Sequence, residues 1–200
     1  MIHFAALALA ATMQAAPVEQ AKVQGMRWEG SAEVYPPGSV LKIAVRSRID
    51  GDKVVSESWP VELGEAKGLR RMTLDARGGT VERGGKSDPM PTEMWTEERA
   101  QFGFYTQLQA ASLRAAQVAG LGVDTFSVDG PARTWFRIGR DGTLVGATNQ
   151  VPSEGGKLAH QTFRFDGFWT ANGMIFPKHM EMTRDGERYF TLDVTSFHAD

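Results

Sequence analysis

The C-terminal part of the chain is divided by dipeptides that form tight turns. Asp-Gly or Asn-Gly stands at positions 129–130, 141–142, 166–167, 172–173 and 185–186. These dipeptides adopt the positive φ that two-residue hairpin loops require, so they are strong hairpin signals. Because strands joined by such loops run antiparallel, we expect this part of the chain to be a series of antiparallel hairpins.

The register predicted for the hairpin at Asn172-Gly173 can be checked for internal consistency. A two-residue loop there sets Ala171 opposite Met174. The same register brings six large side chains onto one face, in the pairs Phe163–Met182, Phe165–Met180 and Trp169–Phe176. A slip of one residue would turn one strand's side chains to the opposite face. The sequence therefore predicts a single apolar face for this hairpin.

Two other hairpins carry register predictions. At Asp185-Gly186 a two-residue turn would direct the apolar residues of the last strand away from Met180. We predict instead a three-residue loop with a glycine bulge, which returns three residues to that face: Phe190, Leu192 and Val194. A hairpin at Asp141-Gly142 predicts two further pairs, Ile138 with Val145 and Phe136 with Ala147.

The N-terminal half contains strands and then one long helix. Apolar and polar residues alternate, with turn residues between the segments, at 26–34, 41–45, 54–59, 69–74 and 80–83. From Thr96 to Ala119 the chain has no proline and a single glycine, Gly103. An apolar stripe at helical spacing lies within this stretch, at Phe104, Leu108, Ala111 and Ala115. The predicted fold class is mainly β with one long helix, as a curved antiparallel sheet that buries one face against that helix.

The first sixteen residues are uncharged. Ile2–Met13 is mostly Ala and Leu, and it is shorter than the about 20 apolar residues that cross a bilayer. This pattern is typical of a secretory signal peptide. We therefore expect a signal peptide at residues 1–16 and a single β domain at residues 17–200, with no integral membrane span in the mature chain. The alternative is a buried N-terminal helix.

Composition and motifs exclude several classes of function. The formal net charge of −2 and the lack of a long basic run argue against nucleic-acid binding. The chain has no cysteine, which excludes disulfides, thiolate nucleophiles and lipid attachment at an N-terminal cysteine. It contains neither a G-x-S-x-G elbow nor a G-x-x-x-x-G-K-[ST] phosphate loop. We expect no catalytic residues and no cofactor, and so no enzyme.

The histidines suggest a metal site that strand geometry argues against. His160, His179 and His198 are each nineteen residues apart. In the hairpin register, His160 lies across from Asp185, six residues along the strand from His179. Six residues of strand span about 20 Å, whereas zinc ligands must converge within about 2.1 Å of the ion. We expect no metal site.

The run FRFDGFWTANGMIFP, from Phe163 to Pro177, resembles the closing strands of LolA/LolB-like proteins. In that group an aromatic strand turns at a glycine and returns through an apolar-Pro step. The group includes periplasmic lipoprotein carriers and outer-membrane lipoprotein receptors. The resemblance implies an unclosed β-barrel, covered by helix on its open side, around a hydrophobic cavity. Together with the signal peptide and the lack of cysteine, it predicts a soluble periplasmic chain without lipidation.

Large apolar side chains supply the candidate binding site. Five Trp, eleven Phe and nine Met can form either an ordinary core or a lined cavity, and flexible Met side chains suit pockets for variable apolar ligands. The candidate ligand-binding residues, expected on the inner sheet face and the helix, are Met26, Trp28, Leu41, Ile43, Phe104, Leu108, Phe163, Phe165, Phe176, Met180 and Met182.

Three hypotheses of function follow. The first is a non-catalytic periplasmic binding or carrier protein for a hydrophobic ligand, which could be a lipid, an acyl chain or a lipoprotein. The second is a structural or sensory module of the cell envelope that binds a protein partner and has no open cavity. The third is a small hydrolase whose site the spacing of residues does not reveal. Cavity volume between sheet and helix separates the first two.

The export hypothesis predicts the mature N-terminus. When the full chain is expressed in a Gram-negative host, N-terminal sequencing of the periplasmic fraction should begin near residues 15–18, since the uncharged stretch ends there, before Pro17. A cytoplasmic protein that retains Met1 would contradict the hypothesis.

Overall fold

The strands follow the alternation in the sequence. The computed structural model describes residues 25–153 and 156–200 and places twelve strands in them. Their bounds are β1 Met26–Val34, β2 Leu41–Asp50, β3 Lys53–Pro60, β4 Arg70–Leu74, β5 Gly79–Arg83, β6 Lys86–Pro89, β7 Thr125–Val128, β8 Thr134–Ile138, β9 Leu144–Ser153, β10 Lys157–Ala171, β11 Met174–Arg184 and β12 Glu187–Ala199. The five predicted N-terminal strands correspond to β1–β5. The predicted signal peptide lies outside the described residues.

Two helices accompany the strands in the described residues, α1 at Glu65–Gly68 and α2 at Thr92–Gly120. The predicted long helix is confirmed as α2, which begins directly after Pro91. The fixed φ of proline suits this position, where a missing N–H costs nothing. The single turn α1 was not predicted, because four residues are too few to show a helical period. Neither helix combines the length and the apolar content needed to cross a membrane.

All twelve strands form one antiparallel sheet in the order β6-β5-β4-β3-β2-β1-β12-β11-β10-β9-β8-β7. The sheet consists of two meanders, β1–β6 and β7–β12, which join where β1 pairs with β12. β6 and β7 are its two edges, so the described sheet does not close into a barrel. The 29 residues of α2, about 44 Å of helix, connect one edge strand to the other. The predicted fold class is confirmed.

The β10–β11 hairpin has the predicted register. The pairs Phe163–Met182, Phe165–Met180, Trp169–Phe176 and Ala171–Met174 all form. Asn172 and Gly173 have φ values of 48° and 76°, as a two-residue loop of this kind requires. Asp166-Gly167 differs from the other turn signals, because it lies within β10 rather than between strands.

Two of the register predictions need correction. The β11–β12 turn is a two-residue loop, since Arg184 pairs with Glu187. The register then shifts beyond Thr183, and Met182 pairs with Phe190. The apolar residues therefore do face the β10–β11 core, but a bulge inside the strand returns them and not a longer loop. The β8–β9 hairpin has a similar shift beyond Arg137. The partner of Ile138 is therefore Leu144 and not Val145, whereas the predicted pair Phe136–Ala147 forms.

The loop between β7 and β8 packs against α2. A Cβ added at Gly103 would lie 2.9 Å from Cγ of Pro131, so only glycine allows this contact. Four residues later, the side-chain amide of Gln107 donates to the carbonyls of Val128 and Ala132 at 3.0 and 2.6 Å. The loop thus fixes α2 from the side while the sheet packs beneath it.

Replacing Gly103 tests this contact. An exposed helical Gly→Ala change normally stabilises a protein by about 0.4–1 kcal/mol, but in Gly103→Ala the methyl group meets the ring of Pro131. We expect a loss of about 1–3 kcal/mol in the free energy of unfolding, measured by urea denaturation. The control is Gly120→Ala, whose Cβ has no atom within 4 Å and which should be neutral or stabilising. A gain in both variants would show that the loop does not hold the helix.

Candidate hydrophobic binding site

The predicted ligand-binding residues come together between α2 and the sheet, with one exception. Met180 and seven others are buried in one apolar cluster: Met26, Trp28, Phe104, Leu108, Phe163, Phe176 and Met182. Ile43 and Phe165 are partly buried and pack against that cluster. Leu41 is 44% exposed, although it alternates in phase with Ile43 on the same face. We call the side of the sheet that faces α2 the inner face.

Aromatic rings fill the space between helix and sheet. Phe104 of α2 stacks on Phe163 of β10 with ring centroids 3.9 Å apart and planes at 9°. Trp28 of β1 contacts Tyr105 at 4.7 Å and Phe176 at 5.0 Å. Rings with centroids this close are in van der Waals contact, so this part of the predicted site is a packed core and not an empty cavity.

Tyr105 is a core residue that the sequence analysis missed. It lies beside the predicted stripe of α2, and the signal that could have identified it is its position three residues before Leu108. Burial, together with the nearby charge of Glu98, raises the pKa of the Tyr105 hydroxyl. The phenol therefore stays neutral and contributes mainly apolar surface.

The inner face of β1–β3 is more deeply buried at one end than at the other. At the first end, the cross-strand neighbours Met26, Ile49 and Val54 are all buried. Six residues further along β1, Ala32 is buried but its neighbour Ile43 is only partly so. At the last row, Phe190, Val34 and Leu41 are adjacent across β12, β1 and β2, and none is buried. We call the five residues Val34, Leu41, Ile43, Val45 and Phe190 the open end.

The C-terminal half of the sheet is closed at the corresponding position by polar side chains. Thr134, Asn149 and Gln161 follow one another across β8, β9 and β10, and all are buried. Thr134 donates to Gln107 of α2 at 2.8 Å. The Asn149 Oδ1 and Gln161 Oε1 atoms have no hydrogen-bond partner among the described residues. Polar residues at inward positions of three successive strands are the sequence signal that could have indicated this closure.

Charged residues tether the first half of α2. Arg184 of β11 contacts Glu97 at 2.6 Å, and Arg70 of β4 lies 3.7 Å from Glu98. Burial raises the pKa of the Glu98 carboxyl, and the charge of Arg70 only partly opposes this effect. Arg99 also donates to the carbonyl of Asp75 at 3.2 Å. Since these contacts are partly exposed, they are weaker than the apolar packing of Phe104 and Leu108.

Two surface hollows lie outside the predicted residues. One, of about 210 Å³, lies against the start of α2 and is lined by Arg70, Val81, Arg83, Asp88, Pro89, Met90, Pro91 and Met94. The other, of about 590 Å³, is lined by charged and small residues around α1, namely Glu65, Ala66, Lys67, Leu69, Arg71, Glu82, Gly84 and Gly85. Neither hollow includes any of the eleven predicted ligand-binding residues.

The histidines have the positions that the hairpin register predicted. The carbonyl of His160 accepts a hydrogen bond from the Asp185 backbone at 2.8 Å. Nδ1 of His179 lies 2.7 Å from a carboxylate oxygen of Asp193, and this hydrogen bond raises the pKa of His179. In the described parts of the chain, no three His, Asp or Glu residues converge on a point where they could hold a metal ion.

Solved structures share this arrangement of sheet and helix. A LolA superfamily protein from Nitrosomonas europaea superposes with a TM-score of 0.51 at 12% identity, over 89% of this chain and 87% of that chain. A domain described as an outer membrane lipoprotein-sorting protein domain, from Vibrio parahaemolyticus, superposes with a TM-score of 0.53 at 8% identity, over 88% and 86%. The chain has the LolA-like fold. No protein-family model and no curated protein matches the sequence.

The LolA-like fold is the one that the run Phe163–Pro177 implied by resemblance. That run forms the β10–β11 hairpin, whose side chains Phe163 and Phe176 belong to the buried cluster. At 8–12% identity, the comparison concerns architecture, since such folds carry many unrelated functions. The role of the eleven residues in ligand binding stays a prediction.

If the core is packed, shortening a buried side chain should greatly lower the free energy of unfolding. Met180 is 2% exposed, so Met180→Ala should lower the free energy of unfolding by about 2–5 kcal/mol in urea denaturation. The matched control is Leu41→Ala on the same face, which should cost less than about 0.5 kcal/mol because Leu41 is exposed. A cost for Met180→Ala as small as that of the control would indicate an open cavity at Met180.

Proposed function

We propose that this chain is a non-catalytic binding or carrier protein for a hydrophobic ligand, which could be a lipid, an acyl chain or a lipoprotein. The open end is the observation that carries this proposal. There, apolar side chains of three adjacent strands continue the core toward solvent, and the described residues cover them only in part. An acyl chain lying on them would extend the core by the same hydrophobic contact that forms it.

The open end also limits how tightly a ligand can bind while α2 stays in place. Each buried methylene group contributes about 0.8 kcal/mol, whereas association costs at least about 4 kcal/mol in lost freedom. A few methylenes on Leu41, Ile43 and Phe190 therefore support only weak binding. Deeper insertion needs α2 to move away from the sheet, against the Phe104–Phe163 stack and the ion pairs at Glu97 and Glu98.

The location that we propose is the periplasm. The uncharged segment at residues 1–16 supports export, and the LolA-like fold shared with an outer membrane lipoprotein-sorting domain is consistent with a role in the cell envelope. The absence of catalysis belongs to the same proposal: the buried cluster between α2 and the described sheet consists of apolar side chains, whereas a hydrolase needs a nucleophile beside a base.

The second candidate is a structural or sensory envelope module that binds a protein partner. The filled space between α2 and the sheet favours it, because a packed core gives a ligand no ready volume. In that case the exposed residues of the open end contact the partner protein and not a lipid.

A pair of Leu→Asn variants tests the proposed function. Leu41 belongs to the open end. Leu158 of β10 is 64% exposed and lies on the outer face, because its neighbour Ala159 is buried on the inner side. Binding of a fluorescent fatty acid should be about threefold to tenfold weaker in Leu41→Asn, because an apolar contact is lost. Leu158→Asn should bind as the parent does.

Native mass spectrometry of protein purified from a bacterial periplasm provides the second readout. Co-purified lipid that is reduced in Leu41→Asn would support the carrier proposal. A parent protein that binds neither the probe nor lipid would contradict it and favour the partner-binding module.

A further inference from the structure

Three basic residues lie side by side on the inner face at one edge of the sheet. Arg70 of β4 pairs with Arg83 of β5, and Arg83 pairs with Lys86 of β6. Arg70 alternates in phase with the buried residues Met72 and Leu74, so this series faces α2. We call these three residues the basic row. Like charges directly opposite one another across strands are destabilising.

Nearby carboxylates compensate the basic row only in part. Glu98 lies 3.7 Å from Arg70, and Asp88 lines the same hollow as Arg70 and Arg83. Glu82, next to Arg83 in sequence, is engaged on the other face by Arg71 at 3.6 Å. Within the described residues, no salt bridge involves Arg83 or Lys86, and the buried Nε of Arg70 has no hydrogen-bond partner.

The basic row borders an apolar hollow. Arg70 and Arg83 share the 210 Å³ space with apolar side chains of β5, of β6, of the link from β6 to α2 and of α2, namely Val81, Pro89, Met90, Pro91 and Met94. Whole small-molecule pockets are typically about 300–1,000 Å³. This hollow therefore has room for a charged head group and a short apolar segment, but not for a complete lipid.

The same cross-strand row leads from the cations to the open end. Arg70 pairs with Ser58 of β3, and Ser58 pairs with Val45 of β2. Along a single row the inner face thus changes from guanidinium, through a hydroxyl, to the apolar side chains of the open end. Such an order matches a molecule with an anionic head and an apolar chain.

We propose that the basic row binds the anionic head group, phosphate or carboxylate, of an amphiphile whose chain lies on the open end. This inference rests on the proposed function and adds the charge class of the ligand. Guanidinium groups bind both oxyanions through paired hydrogen bonds, and the apolar row beyond Ser58 distinguishes an amphiphile from a free ion.

Titration calorimetry with three probes tests the inference on the full chain. The probes are dodecyl phosphate below its micelle concentration, dodecyl maltoside as a neutral amphiphile, and inorganic phosphate. The variant is Arg83→Gln with Lys86→Gln, since both side chains are exposed and their loss should not impair folding. The control is Arg164→Gln, which removes an exposed cation from β10, where it lies opposite Glu181.

We expect dodecyl phosphate to bind the parent more tightly than either other probe. Its affinity should fall about tenfold in the double variant, because an exposed ion pair contributes up to about fivefold in affinity, and it should weaken as salt is added. The control variant should bind dodecyl phosphate as the parent does, and no variant should change binding of dodecyl maltoside.

The other outcomes separate the two proposals. If both amphiphiles bind equally well to the parent and the double variant, the inference is wrong and the proposed function stands. If inorganic phosphate binds as tightly as dodecyl phosphate, the row is a simple anion site and the inference is wrong. If neither amphiphile binds, the proposed function itself fails.

Discussion

The packing of α2 on the inner face of the sheet is the contact on which the rest of the structure depends. A twelve-stranded sheet with two edges has one apolar face, and that face must be covered to be stable in water. The stack of Phe104 on Phe163 and the contact of Tyr105 with Trp28 join the helix to both meanders. Because α2 also connects edge strand β6 to edge strand β7, the same helix covers the core and ties the edges together.

The helix does not cover the two halves of the sheet equally, and this difference locates the candidate site. Over β7–β10, Gln107 reaches the β7–β8 loop, and Gly103 allows Pro131 to approach. Over β1–β3, no described residue forms a comparable clamp at the far end of the strands, and Leu41 there is 44% exposed. The open end therefore lies where α2 no longer covers the sheet. Apolar surface that a domain leaves exposed is often where it binds another molecule, which makes the open end the candidate site.

The LolA-like fold is shared with two solved structures at 8–12% identity. Such different sequences can form one fold because it needs alternating apolar positions, tight turns and one covering helix, and many residues satisfy each requirement. Ligand chemistry is set by fewer positions. In the proposed function those positions are the basic row at one edge and the apolar open end beside it, which the cross-strand neighbours Arg70, Ser58 and Val45 join.

The sequence by itself determined the features that depend on near neighbours. Alternation and turn chemistry specified most of the strands, although not the short edge strand β6. The two-residue loop at Asn172-Gly173 fixed the β10–β11 register, because a tight turn leaves no freedom in pairing. Tertiary structure decided the rest. A bulge at Tyr189 replaces the predicted longer loop and places Phe190 on the apolar face. The position of α2 across the sheet decided whether the predicted site is a cavity or a core. It also decided that Leu41 is exposed while Met180 is buried. No local sequence pattern encodes that position.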